Sequence, residues 1–267
     1  MTDTLVATDK VLARKEGGVG YLTFNNPERH NAMSRDMWAR TGEILDEFAN
    51  DKSVRVVVLS GAGGKSFVSG ADITEFEKQR ANPEQVAIYN QTSDKAFTGL
   101  AEFPKPTIAM IRGYCIGGGL GLAICADMRI CSDNSKFGIP AVKLGLGYGY
   151  VGVKRLVDLC GPSYAKEIFF TARQFDAEEA RMMGIVNRVV PSNDLESYVK
   201  KYADTISENA PLTIHAVKVT IGEAVKDESK RNIALTDALV QKCFDSNDYK
   251  EGRKAFMEKR KPVFTGT

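Results

Sequence analysis

Apolar positions along the chain come in two patterns, short β-branched runs and longer stretches of helical spacing, and they alternate. Val11–Arg14 and Val19–Phe24 predict strands around a Gly17-Gly18 turn, and Asn25-Asn26-Pro27 ends the second. Ser34 is a good N-cap for a helix reaching about Ala49. Val54–Leu59 has the continuous β-branched character of a strand buried on both faces, and a glycine loop closes it. The loop Phe67–Ile73 follows, then a polar stretch from Glu75 to Asn90 without clean periodicity. Helical spacing returns at Thr92–Phe103, Pro104 and Pro106 break it, and Thr107–Ile111 reads as another buried strand.

Gly117-Gly118-Gly119 then opens an apolar helix, Leu120–Ala126, and Met128–Cys131 is a strand. A glycine-rich loop, Lys143–Gly152, leads into a helix that reaches Leu159. Beyond it the spacing predicts helices at Ser163–Thr171, Ala177–Met183, Asp194–Asn209, Leu212–Val225 and Lys230–Phe256. The expected architecture is an α/β core over residues 1–195 followed by a helical C-terminal region over 196–267.

Composition narrows the function classes. A chain of 267 residues with 43% hydrophobic content can bury a full core. Its 36 basic and 34 acidic residues nearly cancel, which gives no broad basic field for nucleic acid, although local basic spots can still hold phosphates. Five cysteines without CxxC spacing, most of them in apolar runs, point to buried thiols in a reducing compartment. Two histidines, His30 and His215, leave little for a metal site or a Ser-His-Asp triad, so no metal is expected. The N-terminal residues show neither a signal core nor a transit pattern, and no apolar run is long enough to span a bilayer. The expectation is a cytoplasmic protein, or a mature organellar one, without a membrane or nucleic-acid partner.

Two glycine-containing loops each follow a strand, Ser69–Ile73 and Gly113–Gly119, where open α/β folds place ligands. The second opens a helix, so its first N–H groups lack chain partners and face whatever lies there. Gly-Gly-Gly matches no phosphate-binding pattern. By spacing alone, the glycines read first as letting a helix pack tightly on a strand.

The segments NNPERHNAMS, VRVVVLSGAGGKSFVSGADI, KPTIAMIRGYCIGGGLGLAICADMRICSDNSKFG, LGLGYGYVG, GIVNRVV and FMEKRKPVF follow one another from Asn25 to the C-terminus. In this order they resemble the enoyl-CoA hydratase/isomerase (crotonase) superfamily over nearly the whole chain. The resemblance implies a crotonase-like (ClpP/crotonase) fold of repeated ββα units with a helical C-terminal trimerisation region, and a homotrimer or a hexamer built as a dimer of trimers. It implies an acyl-CoA substrate whose thioester oxygen is held by the backbone N–H groups of Ala71 and Gly118, with coenzyme A as part of the substrate and no separate cofactor. It also implies substrate contacts from Arg29, Ser69, Gly70, Asp72, Ile73 and Gly117, and from Phe256 and Lys259 of the tail, which would reach a neighbouring subunit. By charge pattern alone, Lys259 reads equally as a solvated lysine.

Typical hydratases of this superfamily carry two glutamates where this chain has Gly121 and Ala141. Neither residue transfers protons, and losing such a group costs about 10²–10⁴ in rate. A lyase with reduced or redirected acid–base chemistry is therefore the first expectation. The second is decarboxylation of a malonyl-type thioester, which needs an oxyanion hole but no protein base. LGLGYGYVG resembles the methylmalonyl-CoA decarboxylase branch, and Tyr148 falls on its carboxylate-facing tyrosine. Against this, Ala71 stands where that branch has a histidine, Tyr150 can substitute for Tyr148, and Tyr148 can simply pack the loop with its hydroxyl hydrogen-bonded. A third reading is a catalytically idle acyl-CoA-binding protein. Asp72 and Asp127 read as structural, Lys143 is a further ionisable group near the site, and Glu75, Glu84 and Tyr89 belong to a stretch that can fold over the pocket.

Overall fold

The computed structural model describes residues 8–75 and 82–267. Residues 76–81 and the Glu75 side chain, part of the stretch expected to cover the pocket, lie outside them. The strands among the described residues are β1 (Val11–Glu16), β2 (Val19–Phe24), β3 (Val56–Gly61), β4 (Ser66–Val68), β5 (Thr107–Ile111), β6 (Tyr114–Ile116), β7 (Met128–Ser132), β8 (Lys136–Gly138), β9 (Phe175–Asp176) and β10 (Arg188–Val190). The α-helices among the described residues are α1 (Arg35–Asn50), α2 (Pro83–Ala101), α3 (Gly118–Ala123), α4 (Tyr150–Thr171), α5 (Ala177–Met182), α6 (Leu195–Glu208), α7 (Pro211–Ala224), α8 (Ile233–Asp245) and α9 (Asn247–Met257).

Two sheets share the strands. The larger has the order β1-β2-β3-β5-β7-β10, parallel except for the β1–β2 hairpin, and the smaller has the order β4-β6-β8-β9. Each pair β3–β4, β5–β6 and β7–β8 gives its first strand to the large sheet and its second to the small one. This is the repeated unit that the resemblance implied. The small sheet was not legible in the sequence, because its strands are at most three residues long and carry no periodicity.

The centre of the large sheet is buried on both faces, as the β-branched run at β3 requires. Val57 and Leu59 point to a core shared with Met37, Ile44 and Leu45 of α1. Val56 and Val58 point the other way, to Leu195, Val199 and Ala203 of α6. The Ser34 side chain caps α1 at Met37 N, 3.2 Å away.

Three element boundaries differ from the sequence reading. Helix α2 starts at Pro83, inside the stretch that showed no periodicity, because Asn82 caps it by accepting from Gln85 N at 2.9 Å. The two helices expected on either side of Gly161 form one kinked helix, α4, in which Gly161 takes φ 74 ahead of Pro162. The long helix expected at 230–256 is two, because Ser246 is extended and its hydroxyl caps α9 at Tyr249 N. Between α7, α8 and α9 lies an apolar groove of about 870 Å³ lined by Val217, Ile221, Phe244, Phe256 and Met257, all more than half exposed. No helix among the described residues is long and apolar enough to cross a membrane.

Candidate functional site

The site begins where β4 ends and the chain turns at Gly70, which takes φ 114. Asn31 fixes this turn from beneath. Fully buried, its side chain donates to the carbonyls of Ala62 at 3.0 Å and Ser66 at 2.8 Å, and accepts from Asn26 N at 2.8 Å. Met33 then forms an isolated parallel bridge to Ala71, with Met33 N donating to Gly70 O at 2.8 Å and Asp72 N to Met33 O at 2.9 Å. Because that bridge uses the groups on either side of Ala71, the N–H of Ala71 itself faces away from it. It makes no hydrogen bond among the described residues.

The second loop arrives from β6. Gly117 takes φ 56 and ψ −119, a conformation that needs glycine, and its N–H donates to Gly138 O at 2.8 Å. Gly118 is the first residue of α3, so its N–H has no intrahelical acceptor and makes no hydrogen bond among the described residues. A Cβ placed on Gly118 would lie 3.9 Å from Ala71 N and 3.5 Å from the Trp38 ring. The two free amides therefore border the same small volume. Gly119 does the other job that the sequence allowed: a Cβ there would lie 2.1 Å from Val68 O, so that glycine lets α3 pack onto β4.

A cavity of about 560 Å³ opens from the amides. Of the residues singled out in the sequence, it brings together Ala71, Gly118, Gly121 and Tyr148, with Tyr89 on its wall. Tyr148 packs edge-on against Phe169, ring centroids 4.9 Å apart, and its hydroxyl would stand 3.2 Å from a Cβ on Gly121. The phenol thus fills the place from which a longer side chain at 121 would project. The ring packs as the sequence allowed, but the hydroxyl, expected to be hydrogen-bonded in that case, has no hydrogen bond among the described residues. Burial, with a smaller push from Cys125, raises the Tyr148 phenol to about 12, so it stays protonated at neutral pH. Tyr150 is 78% exposed at the cavity rim, which distinguishes it from Tyr148 inside.

Other singled-out residues lie elsewhere. Ala141 is buried at the start of a 3₁₀ turn and does not line the cavity. Arg29 reaches Asp72 at 3.2 Å and Thr74 Oγ1 at 2.7 Å, which clamps the loop that contains Ser69, Gly70 and an exposed Ile73. Burial alone would raise the Asp72 carboxyl, but hydrogen bonds from Thr74 and the charge of Arg29 outweigh it and hold the pKa below the usual value. Asp127 accepts from Thr107 N and Oγ1 and from Lys218 Nζ, which makes it a structural tie, as expected. Glu84 and Lys143 are exposed and do not line the cavity. Phe256 lines the separate C-terminal groove, and Lys259 follows α9 with φ 53.

Sequence reasoning missed Trp38, Phe97, Cys125 and Arg155, all of which line the cavity. Trp38 Nε1 donates to Tyr89 Oη at 3.0 Å, and its ring lies 5.0 Å from that of Phe97, giving an aromatic wall. Arg155 Nη1 donates to Cys125 Sγ at 2.7 Å. Their helical spacing reads as core, and only the crossing of α1, α2, α3 and α4 turns them toward one space.

The family model described as enoyl-CoA hydratase/isomerase matches residues 14–267. The short-chain-enoyl-CoA hydratase of Clostridium acetobutylicum is 36% identical over 253 residues, covering 95% of this chain and 96% of that protein. The crotonyl-CoA hydratase of Syntrophomonas wolfei is 34% identical over 259 residues, covering 97% and 99%. Among solved structures, an enoyl-CoA hydratase/carnithine racemase from Magnetospirillum magneticum superimposes with a TM-score of 0.91 at 37% identity, covering 98% of this chain and 97% of that one.

Proposed function

Because the chain belongs to the enoyl-CoA hydratase/isomerase family, we propose that its cavity binds an acyl-CoA thioester and stabilises the enolate formed at the α-carbon. The observation that carries this is the pair of amides, Ala71 and Gly118, that have no partner among the described residues and border one small volume at the cavity wall. A thioester carbonyl gains negative charge as its α-carbon becomes nucleophilic. Two fixed donors then hold the enolate more tightly than the ground state, and removing one in comparable sites costs about 3–4 kcal/mol.

The proton chemistry departs from a two-glutamate arrangement. Gly121 offers no protic group, Ala141 is away from the cavity, and among the described lining residues the one carboxylate, Asp94, is exposed. The Tyr148 hydroxyl is neutral, unpartnered and over Gly121, placed to donate a hydrogen bond near the α-carbon. This favours a second reading, decarboxylation of a malonyl-type thioester: the departing CO2 leaves its electron pair as the enolate, and Tyr148 orients the carboxylate. Coenzyme A enters as part of the substrate, with Arg29 and the Ser69–Ile73 loop along its path. The C-terminal groove lined by Phe256 meets a neighbouring copy in a trimer or a pair of trimers, and Phe256 and Lys259 reach the coenzyme A bound there.

A mass-spectrometric screen of enoyl-, hydroxyacyl- and malonyl-type CoA thioesters tests the reading. Water addition or CO2 release is expected, and it should fall about 10²–10³-fold in Gly118→Pro. Proline suits the first helical position; it removes that N–H and sets ring carbons in the space beside Ala71 N. Tight binding with no turnover across the panel would identify an idle acyl-CoA-binding protein, and no binding at all would overturn the reading.

A further inference from the structure

We propose that the cavity takes an acyl group ending in a carboxylate, and that Arg155 anchors that carboxylate at the far end from the thioester. The inference rests on the reading of Ala71 and Gly118 as the thioester pole and adds the identity of the acyl chain. Gly118, Gly121 and Cys125 follow one another along α3 and the turn after it at intervals of three and four, and all three line the cavity. They form one stripe. At 1.5 Å per residue the stripe runs about 10 Å from the amides to Cys125. Tyr148 stands over its middle, and Arg155 meets its end through the 2.7 Å contact with Cys125 Sγ.

Arg155 is half-buried and is the single cation among the described residues lining the cavity. Its guanidinium has no ion-pair partner among them, and its one hydrogen bond goes to a thiol, which is a weak acceptor. Burial pushes the Cys125 thiol up, so it stays neutral and leaves the positive charge unbalanced. Asp94, the anion on the lining, is exposed and makes no ion pair with Arg155. A planar fork with free donors, in a cavity whose one other charged lining residue is the exposed Asp94, is matched by a carboxylate, which it can hold with two parallel hydrogen bonds. A malonyl carboxylate sits on the α-carbon, beneath Tyr148 and about one helical turn short of Cys125, where Arg155 meets the stripe. The acid that fits is a dicarboxylyl thioester whose free carboxylate lies several carbons beyond the α-carbon.

Calorimetric binding of length-matched pairs separates this from the underlying reading: glutaryl-, adipyl- and suberyl-CoA against pentanoyl-, hexanoyl- and octanoyl-CoA. At least one dicarboxylyl thioester should bind about tenfold or more tightly than its partner. That ratio should fall to about one in Arg155→Met and be partly kept in Arg155→Lys. The inference is overturned if no pair favours the carboxylate, or if the preference survives in Arg155→Met, while binding of the neutral thioesters keeps the thioester reading intact. Failure of every thioester to bind would remove both.

Discussion

Adjacent glycines at the start of α3 do different work. At Gly119 an added methyl would meet the Val68 carbonyl, a backbone atom that cannot swing aside. Gly119→Ala is therefore expected to cost at least about 2 kcal/mol in urea unfolding. At Gly118 the same methyl finds ordinary contact with Trp38 but enters the space beside Ala71 N, so Gly118→Ala should unfold like the parent and bind acyl-CoA more weakly. Tyr148 provides a third residue-scale test. Its phenol ionises near 10 in the unfolded chain and at about 12 when folded, so its contribution to stability is whole below pH 10 and is lost as pH rises through 12. An ultraviolet titration should show a tyrosine step near 12 that Tyr148→Phe removes.

Among the elements, the loop between β2 and α1 decides where Ala71 sits. Asn31→Ala strands the Ala62 and Ser66 carbonyls and the Asn26 N–H in a buried place, with an expected loss of about 2–4 kcal/mol in stability. Acyl-CoA binding should weaken with it, because the Met33–Ala71 bridge follows directly. Elements with strong local signals were legible in the sequence: the β1–β2 hairpin, the cap at Ser34, the buried runs at β3 and β5, and the glycine opening of α3. The small sheet was not, since its short strands exist only through pairing with one another. Helix α2 was half hidden because its buried residues, Tyr89, Ser93, Ala96 and Leu100, include polar and small types that blur the apolar period. The amides of the site were reached through resemblance. The aromatic wall and Arg155 needed the packing of four helices.

For the whole molecule, the C-terminal helices leave an apolar groove uncovered beside a tail that is latched by charge. Arg260 pairs with both oxygens of Glu251 at 2.6 and 2.9 Å, and Val263 N donates to the same carboxylate at 2.9 Å. The Arg260 bond, followed by the one from Val263, holds the Glu251 carboxyl at about 2. A depressed carboxyl pKa means the latch is whole above the unfolded value near 4.5 and is lost as pH falls toward 2. Protection of the Val263 amide, measured against its intrinsic exchange rate at each pH, should fall across that window, and Glu251→Gln should abolish the dependence.

The central claim is that the Ala71 and Gly118 amides grip a thioester carbonyl, and isotope-edited infrared spectroscopy reads that grip without requiring turnover. With a saturated acyl-CoA labelled with 13C at its carbonyl, the bound C=O stretch should move to lower frequency than in water. It should recover much of that shift in Gly118→Pro. A bound carbonyl that absorbs at its aqueous frequency, or one indifferent to the loss of the Gly118 N–H, would contradict the account.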